Sequence, residues 1–245
     1  MKKLLTAAVM SAALSSGAFA LEASDNSSNY DATFIGLNQG TGFNAWTGSG
    51  TGGGGNYIGG SGLSSSSFAI FSGGGSGNSF EATRPFSSAM NVGDTFSVQF
   101  GYTGVANDGV IGINLFSDTA FRLGIKFTGG QSEWTLNDGG NDFGIGIPWS
   151  GGNPGTTLNF SFTRGSENNY SINVSQGSDS FEGLNFTASS GVMSVNRVQF
   201  FTGDQGGGEN IGFDNLNVVP EPSTYALFVL GAAAMSGYVI RRRRR

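Results

Sequence analysis

Short stretches in which every second residue is apolar are the feature that most constrains how this chain can fold. From Phe121 to Phe127 the odd-numbered residues are apolar, and the residues between them are Arg, Gly and Lys. The same spacing recurs from Phe96 to Tyr102, from Leu158 to Phe162 and from Tyr170 to Val174. Alternate side chains of a strand point to opposite faces, so each stretch predicts a half-buried antiparallel β-strand.

Further strand candidates fill the region between residues 30 and 218. Turn signals separate them, such as Asn107-Asp108-Gly109 and the Gly/Pro-rich residues 151–155. About a dozen short strands, with no comparable helical period between the termini, predict an all-β fold, an antiparallel β-sandwich of jelly-roll type. The further candidates are Thr33–Leu37, Phe68–Ser72, Ser79–Arg84, Val110–Phe116, Gln131–Leu136, Phe181–Thr187, Arg197–Thr202 and Ile211–Val218.

Two segments of this region, and the residues that precede it, lack a strand pattern. Gly48–Gly62 and Gly73–Gly77 are rich in Gly and Ser, and we expect them to form flexible surface loops within the domain. Residues 21–29 are a polar arm that we expect to be poorly ordered, because the ends of domains are rarely fixed.

Cysteine and histidine are both absent from the 245 residues. Without cysteine there are no disulfides, so stability depends on core packing. Without either residue the chain cannot form a Ser-His-Asp triad, a Cys-His pair or an imidazole zinc site. Residues 21–220 hold 5 basic and 16 acidic residues, a net charge of −11, which argues against nucleic acid as a partner.

The first 20 residues have the three parts of a secretory signal peptide in order. Lys2 and Lys3 form the basic region, and Leu4–Leu14 form the apolar region. Ala18 and Ala20 then provide a small-x-small cleavage site. We therefore expect export, with the mature chain beginning at Leu21.

The last residues predict a membrane-inserted helix. Residues 225–240 contain no charged residue, and at about 1.5 Å per residue they span roughly 24 Å, somewhat less than a bilayer core of about 30 Å. A block of basic residues follows and should stay in the cytoplasm, which leaves the preceding domain outside. These residues are Arg241, Arg242, Arg243, Arg244 and Arg245.

The sequence Val219-Pro220-Glu221-Pro222-Ser223, followed by the apolar helix and the Arg block, resembles the PEP-CTERM sorting signal. The resemblance implies that residues 219–245 are this signal, with Pro220, Glu221 and Pro222 as the recognition motif. It also implies processing by exosortase, a membrane-embedded transpeptidase, and association with extracellular polysaccharide at the cell surface. The two prolines agree with this reading, because they keep the segment extended.

The closing stretch Gly212–Val218 resembles the final strand of concanavalin-like lectin and glucanase sandwiches. Laminarinase-type members of that class carry an E-x-D-x-x-E strand, which this chain lacks. The nearest acidic pair, Glu209 and Asp214, has a spacing that places the two residues on opposite faces of a strand. The resemblance therefore implies a fold and no activity, and we expect the protein not to be an enzyme.

Two loops contain candidate calcium ligands. Asp138 and Asp142 lie in Asn137–Asp142, and Asp204 begins the run 204–210. Such loops offer the oxygen ligands that calcium prefers, although neither matches an EF-hand. Asp and Asn also favour turns without any metal, and this alternative stays open.

Three aromatic residues stand next to Gly, Asn or Pro and are candidates for sugar contact from loops: Trp46, Tyr57 and Trp149. A ring face can stack on a sugar ring. The alternative is that these rings close the ends of the sandwich.

Three functions follow from the sequence, in order of preference. The first is a non-enzymatic surface or matrix protein that contacts exopolysaccharide. The second is a lectin-like carbohydrate-binding module, with or without calcium. The third is a glycoside hydrolase that uses carboxylates alone.

Overall fold

The computed structural model describes residues 21–63, 66–149, 157–187, 189, 191, 194–205 and 209–221. The predicted signal peptide, Pro222, the apolar segment 225–240 and the Arg block lie outside the described residues. Within the described part of the chain, no helix is long and apolar enough to cross a membrane.

The described residues form fifteen strands and a short 3-10 helix at Ser27–Asn29. The strands are β1 (Ala23–Asp25), β2 (Thr47–Thr51), β3 (Gly55–Ile58), β4 (Phe68–Phe71), β5 (Ser79–Pro85), β6 (Thr95–Tyr102), β7 (Val110–Ser117), β8 (Ala120–Thr128), β9 (Glu133–Asn137), β10 (Asp142–Pro148), β11 (Leu158–Arg164), β12 (Asn169–Gln176), β13 (Asp179–Thr187), β14 (Arg197–Gly203) and β15 (Ile211–Val219).

The strands make two antiparallel sheets that face each other. The eight-stranded sheet has the order β13-β12-β11-β6-β15-β4-β3, with β1 also paired to β15. The seven-stranded sheet has the order β10-β9-β8-β7-β14-β5-β2. The predicted all-β antiparallel sandwich is thus confirmed, and about half of the strand pairs join strands that are not consecutive in the chain.

The apolar residues of the alternating stretches fill the space between the sheets. Phe160 and Phe162 of β11 and Phe96 and Phe100 of β6 are all buried. Phe200 of the seven-stranded sheet stacks on Phe213 of the eight-stranded sheet, with ring centroids 3.7 Å apart. The core is therefore rich in aromatic rings, and it joins both sheets.

The expectation of a poorly ordered arm at residues 21–29 is not what the structure shows. Ala23 lies opposite Val218 in an antiparallel pairing, so β1 extends the eight-stranded sheet. Leu21 and Ala23 are buried, and Asp25 has a buried ion-pair partner in Arg84. The arm is ordered because its apolar residues enter the core and its carboxylate is paired, which local polarity could not reveal.

Two other expectations were wrong. Thr33–Leu37 forms a turn with Gly36 at φ +83° rather than a strand. The stretch Gly48–Gly62 contains β2 and β3, which pair with β5 and β4. At Gly50 a Cβ would lie 2.6 Å from both the carbonyl oxygen of Ser79 and the ring of Phe80, so glycine here permits close strand approach rather than flexibility.

Candidate ligand-binding face

The outer face of the eight-stranded sheet carries uncharged polar side chains at its centre. Its strands alternate, so the residues between the buried aromatics point outward. Asn159 lies opposite Gln99 and Ser175, and Ser161 lies opposite Ser97 and Asn173. Two adjacent rows of amides and hydroxyls therefore cross β12, β11 and β6.

Four carboxamides form a directional chain of hydrogen bonds along this face. Asn26 Nδ2 donates to Asn215 Oδ1 at 2.6 Å, and Asn215 Nδ2 donates to Gln99 Oε1 at 2.6 Å. Gln99 Nε2 continues the chain to Asn159 Oδ1 at 3.5 Å. Each amide orients the next, so these side chains are held in place before a ligand arrives.

A shallow groove of about 260 Å³, which we call the amide groove, runs over this part of the sheet. It is open to solvent, and all of its described lining residues are uncharged. They are Ser97, Val98, Gln99, Asn159, Phe160, Ser161, Asn173, Asn215 and Asn217. Such a surface offers paired donors and acceptors, as sugar hydroxyls require, but no group of the kind that catalyses glycosidic cleavage.

Asp138, one of the candidate calcium ligands, lies in the turn between β9 and β10 and is engaged there. Asp138 Oδ1 accepts from the N–H groups of Gly140 and Asn141, and Oδ2 accepts from the Ser189 hydroxyl at 2.9 Å. Burial alone would raise the pKa of Asp138, but these hydrogen bonds outweigh burial and lower it. Asp138 thus stabilises a turn through hydrogen bonds, as Asp residues do without a metal.

Asp142 pairs with Lys126, whose Nζ lies 2.8 Å from its Oδ2. The hydrogen bond from Lys126 is the largest cause that lowers the pKa of Asp142. Asp204 follows β14, where its Oδ1 accepts from the N–H of Gly77. Among the described residues no group of three or more acidic side chains could hold a metal ion.

Trp46 does not lie in an exposed loop. It is buried between the sheets, 1 % exposed, and its Nε1 donates to Asp25 Oδ2 at 3.0 Å. Its ring contacts those of Phe34 and Phe68. Trp46 is therefore a core residue and not a sugar-stacking residue of a loop. The polar residues beside it in sequence do not surround it in the fold.

Trp149 stacks nearly parallel on two core rings, Tyr102 at 4.5 Å and Phe127 at 4.1 Å between centroids. It therefore closes one end of the sandwich. Tyr57 lies on edge strand β3, half-buried, with its hydroxyl 2.7 Å from Ser61 Oγ. Neither residue lines the amide groove.

Asp214, one of the two acidic residues considered from the sequence, is hydrogen bonded within the fold. Asp214 accepts hydrogen bonds from the N–H and the hydroxyl of Ser27, at 2.8 and 3.0 Å, and so fixes the 3-10 helix to β15. Glu81 accepts from Gln199, and Glu133 accepts from the N–H of Gly146. These carboxylates accept hydrogen bonds that join neighbouring segments of the fold.

The sequence analysis did not identify the amide groove, although the alternation that places its polar residues outward was present in the sequence. Asn159, Ser161 and Thr163 alternate with the phenylalanines of β11, and Ser97 and Gln99 do the same in β6. The pattern shows that these residues face outward. It does not show that β11 and β6 are neighbours, since 55 residues separate the ends of the two strands.

β15 leads directly into the predicted recognition motif. Val219, its last residue, pairs with Thr95 of β6, and Pro220 and Glu221 follow without a linker. A folded β-sandwich followed by such a segment defines an exported protein with a C-terminal sorting signal. The chain carries a PEP-CTERM protein-sorting motif at residues 218–245. The motif implies export, exosortase processing at the membrane, and a location at the cell surface or outside the cell.

No curated protein matches this chain in sequence. Among solved structures it is similar to an endo-β-1,4-glucuronan lyase from Trichoderma reesei, with a TM-score of 0.50 and 10 % identity over 78 % of this chain and 95 % of that one. A family 16 glycosyl hydrolase from Mycobacterium smegmatis gives a TM-score of 0.50 and 11 % identity, over 80 % and 98 %. At such low identity these similarities show the jelly-roll fold alone.

Proposed function

We propose that this protein is a non-catalytic component of the cell surface or extracellular matrix that contacts neutral polysaccharide through the amide groove. The observation that carries the proposal is the chain of four carboxamides from Asn26 to Asn159, on a groove whose described lining is uncharged. Carboxamides both donate and accept, which suits sugar hydroxyls.

Charge supports a neutral rather than an acidic polymer. The net charge of −11 over residues 21–220 repels uronates and other polyanions, with a range limited by salt to about 8 Å at physiological ionic strength. The non-catalytic part of the proposal is supported by the carboxylates Glu81, Glu133 and Asp214, each of which is hydrogen bonded within the fold.

The groove is tested by binding of the exported protein to neutral polysaccharides and to the host's own exopolysaccharide. Asn159→Ala removes an exposed amide and should weaken binding about tenfold, the effect of one lost hydrogen bond. Asn114→Ala is the matched control, because Asn114 donates to Gln199 on the outer face of the other sheet. Equal effects of the two changes, or binding that neither alters, would refute the groove as the site.

The hydrolase alternative is tested with the same polymers. A release of reducing ends by the wild type, absent from a Glu81→Gln or Glu133→Gln variant, would favour catalysis over simple contact. We expect no release. Calcium-dependent binding would instead favour the lectin-like alternative.

For the tail, we propose that residues 225–240 hold the precursor in the inner membrane, with the Arg block in the cytoplasm and the sandwich outside. Exosortase then cuts near Pro220-Glu221-Pro222. A host with the enzyme should convert the wild type to a shorter species, and alanines at the three positions should leave a longer, membrane-retained form. A single size in hosts with and without the enzyme would show that the tail is a plain anchor.

A further inference from the structure

The sorting motif is in contact with the folded sandwich. At Gly93, in the turn between β5 and β6, an added Cβ would lie 2.7 Å from Glu221 Oε2 and 3.0 Å from Glu221 Cγ. The side chain at the centre of the motif therefore lies directly over this glycine. Gly93 has φ +90°, so a side chain there would be strained as well as obstructed.

The turn that Glu221 covers is held firmly. Asn91 N–H donates to Asp94 Oδ2 at 2.7 Å, and Gly93 N–H donates to the Arg164 carbonyl at the end of β11, also at 2.7 Å. Arg164 N–H returns a bond to the Asp94 carbonyl at 3.0 Å. Residues 91–94 thus form a fixed surface beside the motif.

Two exposed apolar side chains flank this contact. Val92 and Val219 are each 57 % exposed, and among the described residues the only other exposed large apolar side chain is Leu37, at 39 %. Val92 precedes Gly93, and Val219 lies two residues before Glu221. Together with Gly93 and Glu221 they form one corner of the sandwich, where exposed apolar surface is available to another molecule.

The chain length fixes where this corner lies during processing. Tyr225, the first residue of the predicted membrane segment, is four residues after Glu221, a reach of about 14 Å at full extension. β1 runs antiparallel to β15 with Ala23 opposite Val218, so the mature N-terminus starts at the same corner. The corner must therefore lie next to the membrane, where the processing enzyme acts.

We propose that Val92, Gly93, Val219 and Glu221 form a docking surface for the membrane transpeptidase, which then recognises the sorting motif together with the folded sandwich. An enzyme that binds Pro220 and Glu221 also contacts Val219 and the turn of residues 91–94, because no linker separates the motif from the sandwich. The inference rests on the sorting motif and is independent of polysaccharide binding.

The test follows conversion of full-length precursor to the shorter species by pulse–chase in a host that contains the enzyme. Val92→Asp should slow conversion about tenfold, because a charge replaces an apolar contact. Asn107→Asp adds the same charge to the exposed turn at the other end of β6 and should leave the rate unchanged. Thermal melts of both variants should match the wild type, since both positions are exposed.

A second variant separates the motif from the turn without altering either. Four residues, Gly-Ser-Gly-Ser, inserted between Val219 and Pro220 preserve the spacing from motif to membrane segment and should also slow conversion about tenfold. An unchanged rate would show that the enzyme reads the motif alone, and a faster rate would show that the turn masks it. Either result overturns the proposal. If the rate is unchanged and the protein also binds phosphatidylethanolamine/phosphatidylglycerol vesicles in a way that depends on Val92, the turn contacts lipid rather than the enzyme.

Discussion

Arg84 and Asp25 form an ion pair of 2.9 Å in which both side chains are completely buried. Arg84 lies on β5 of the seven-stranded sheet, and Asp25 lies on β1 of the eight-stranded sheet. Tyr30 Oη and Trp46 Nε1 each donate to the same carboxylate oxygen at 3.0 Å. The pair therefore fastens β1 to the opposite sheet.

Loss of Arg84 should destabilise the domain severely. Arg84→Met leaves the Asp25 carboxylate buried without its counter-charge, and we expect the free energy of unfolding to fall by about 3–5 kcal/mol. Denaturant unfolding of the exported protein, followed by tryptophan fluorescence, measures this. Combining the change with Asp25→Asn removes the uncompensated charge and should restore part of the loss.

The exposed pair Lys126–Asp142 provides the matched control. Its side chains are 35 % and 46 % exposed, so Lys126→Met should cost less than about 1 kcal/mol. Equal losses for Arg84→Met and Lys126→Met would contradict the role given to the buried pair.

Tyr170 should tolerate loss of its hydroxyl. The residue is 1 % exposed, and its hydroxyl has no hydrogen-bond partner among the described residues. Tyr170→Phe should therefore preserve stability at pH 7 or raise it by about 1 kcal/mol. Tyr57→Phe, which breaks a 2.7 Å hydrogen bond to Ser61, should give no such gain. A loss above about 1 kcal/mol for Tyr170→Phe would show that the hydroxyl has a partner.

The Tyr170 hydroxyl should also make the free energy of unfolding fall in alkali. Burial, aided by the charge of Asp138, raises the pKa of Tyr170 from 10.0 to about 12. The unfolded chain therefore ionises first, so this stability is present below pH 10 and is lost as pH rises towards 12. Titrations of the free energy of unfolding should show a smaller alkaline loss in Tyr170→Phe; identical curves would exclude Tyr170 as a contributor.

Asp138 predicts the opposite dependence in acid. Burial opposes its ionisation, but the hydrogen bonds from Asn141, Gly140 and Ser189 prevail and hold the pKa below 3.8. Its contribution is present above pH 3.8 and is lost as pH falls through the folded-state pKa. Asp138→Asn keeps an acceptor for the turn but cannot titrate, so the stability of this variant should fall less than that of the wild type as the pH is lowered below 3.8. A steeper acid loss in Asp138→Asn would contradict this.

Removal of divalent cations should not affect the fold. Asp138, Asp142 and Asp204 each have hydrogen-bond or ion-pair partners within the protein. EDTA should therefore leave the melting temperature unchanged. A fall that calcium, but not magnesium, reverses would return these residues to the role of metal ligands.

Local patterns were sufficient for the strands with strict alternation. β6, β8, β11 and β12 lie where every second residue is apolar, because a half-buried strand imposes that spacing. For β2 and β3 the sequence predicts loops, since a strand rich in Gly and Ser has no alternating side-chain pattern. Trp46 was misplaced for a related reason: burial depends on residues distant in sequence, such as Asp25 and Phe213.

The sorting motif, the all-β class and the outward position of the polar residues in each strand can be read from the amino-acid sequence, because these properties depend on composition and on spacing along the chain. Which strands are neighbours depends on the tertiary fold. Pairing β15 with both β1 and β6 brings Asn26 to Asn215, Asn215 to Gln99, and Glu221 to Gly93. These contacts join residues more than 100 positions apart, and such long-range pairing follows from the packing of the whole core rather than from any local signal.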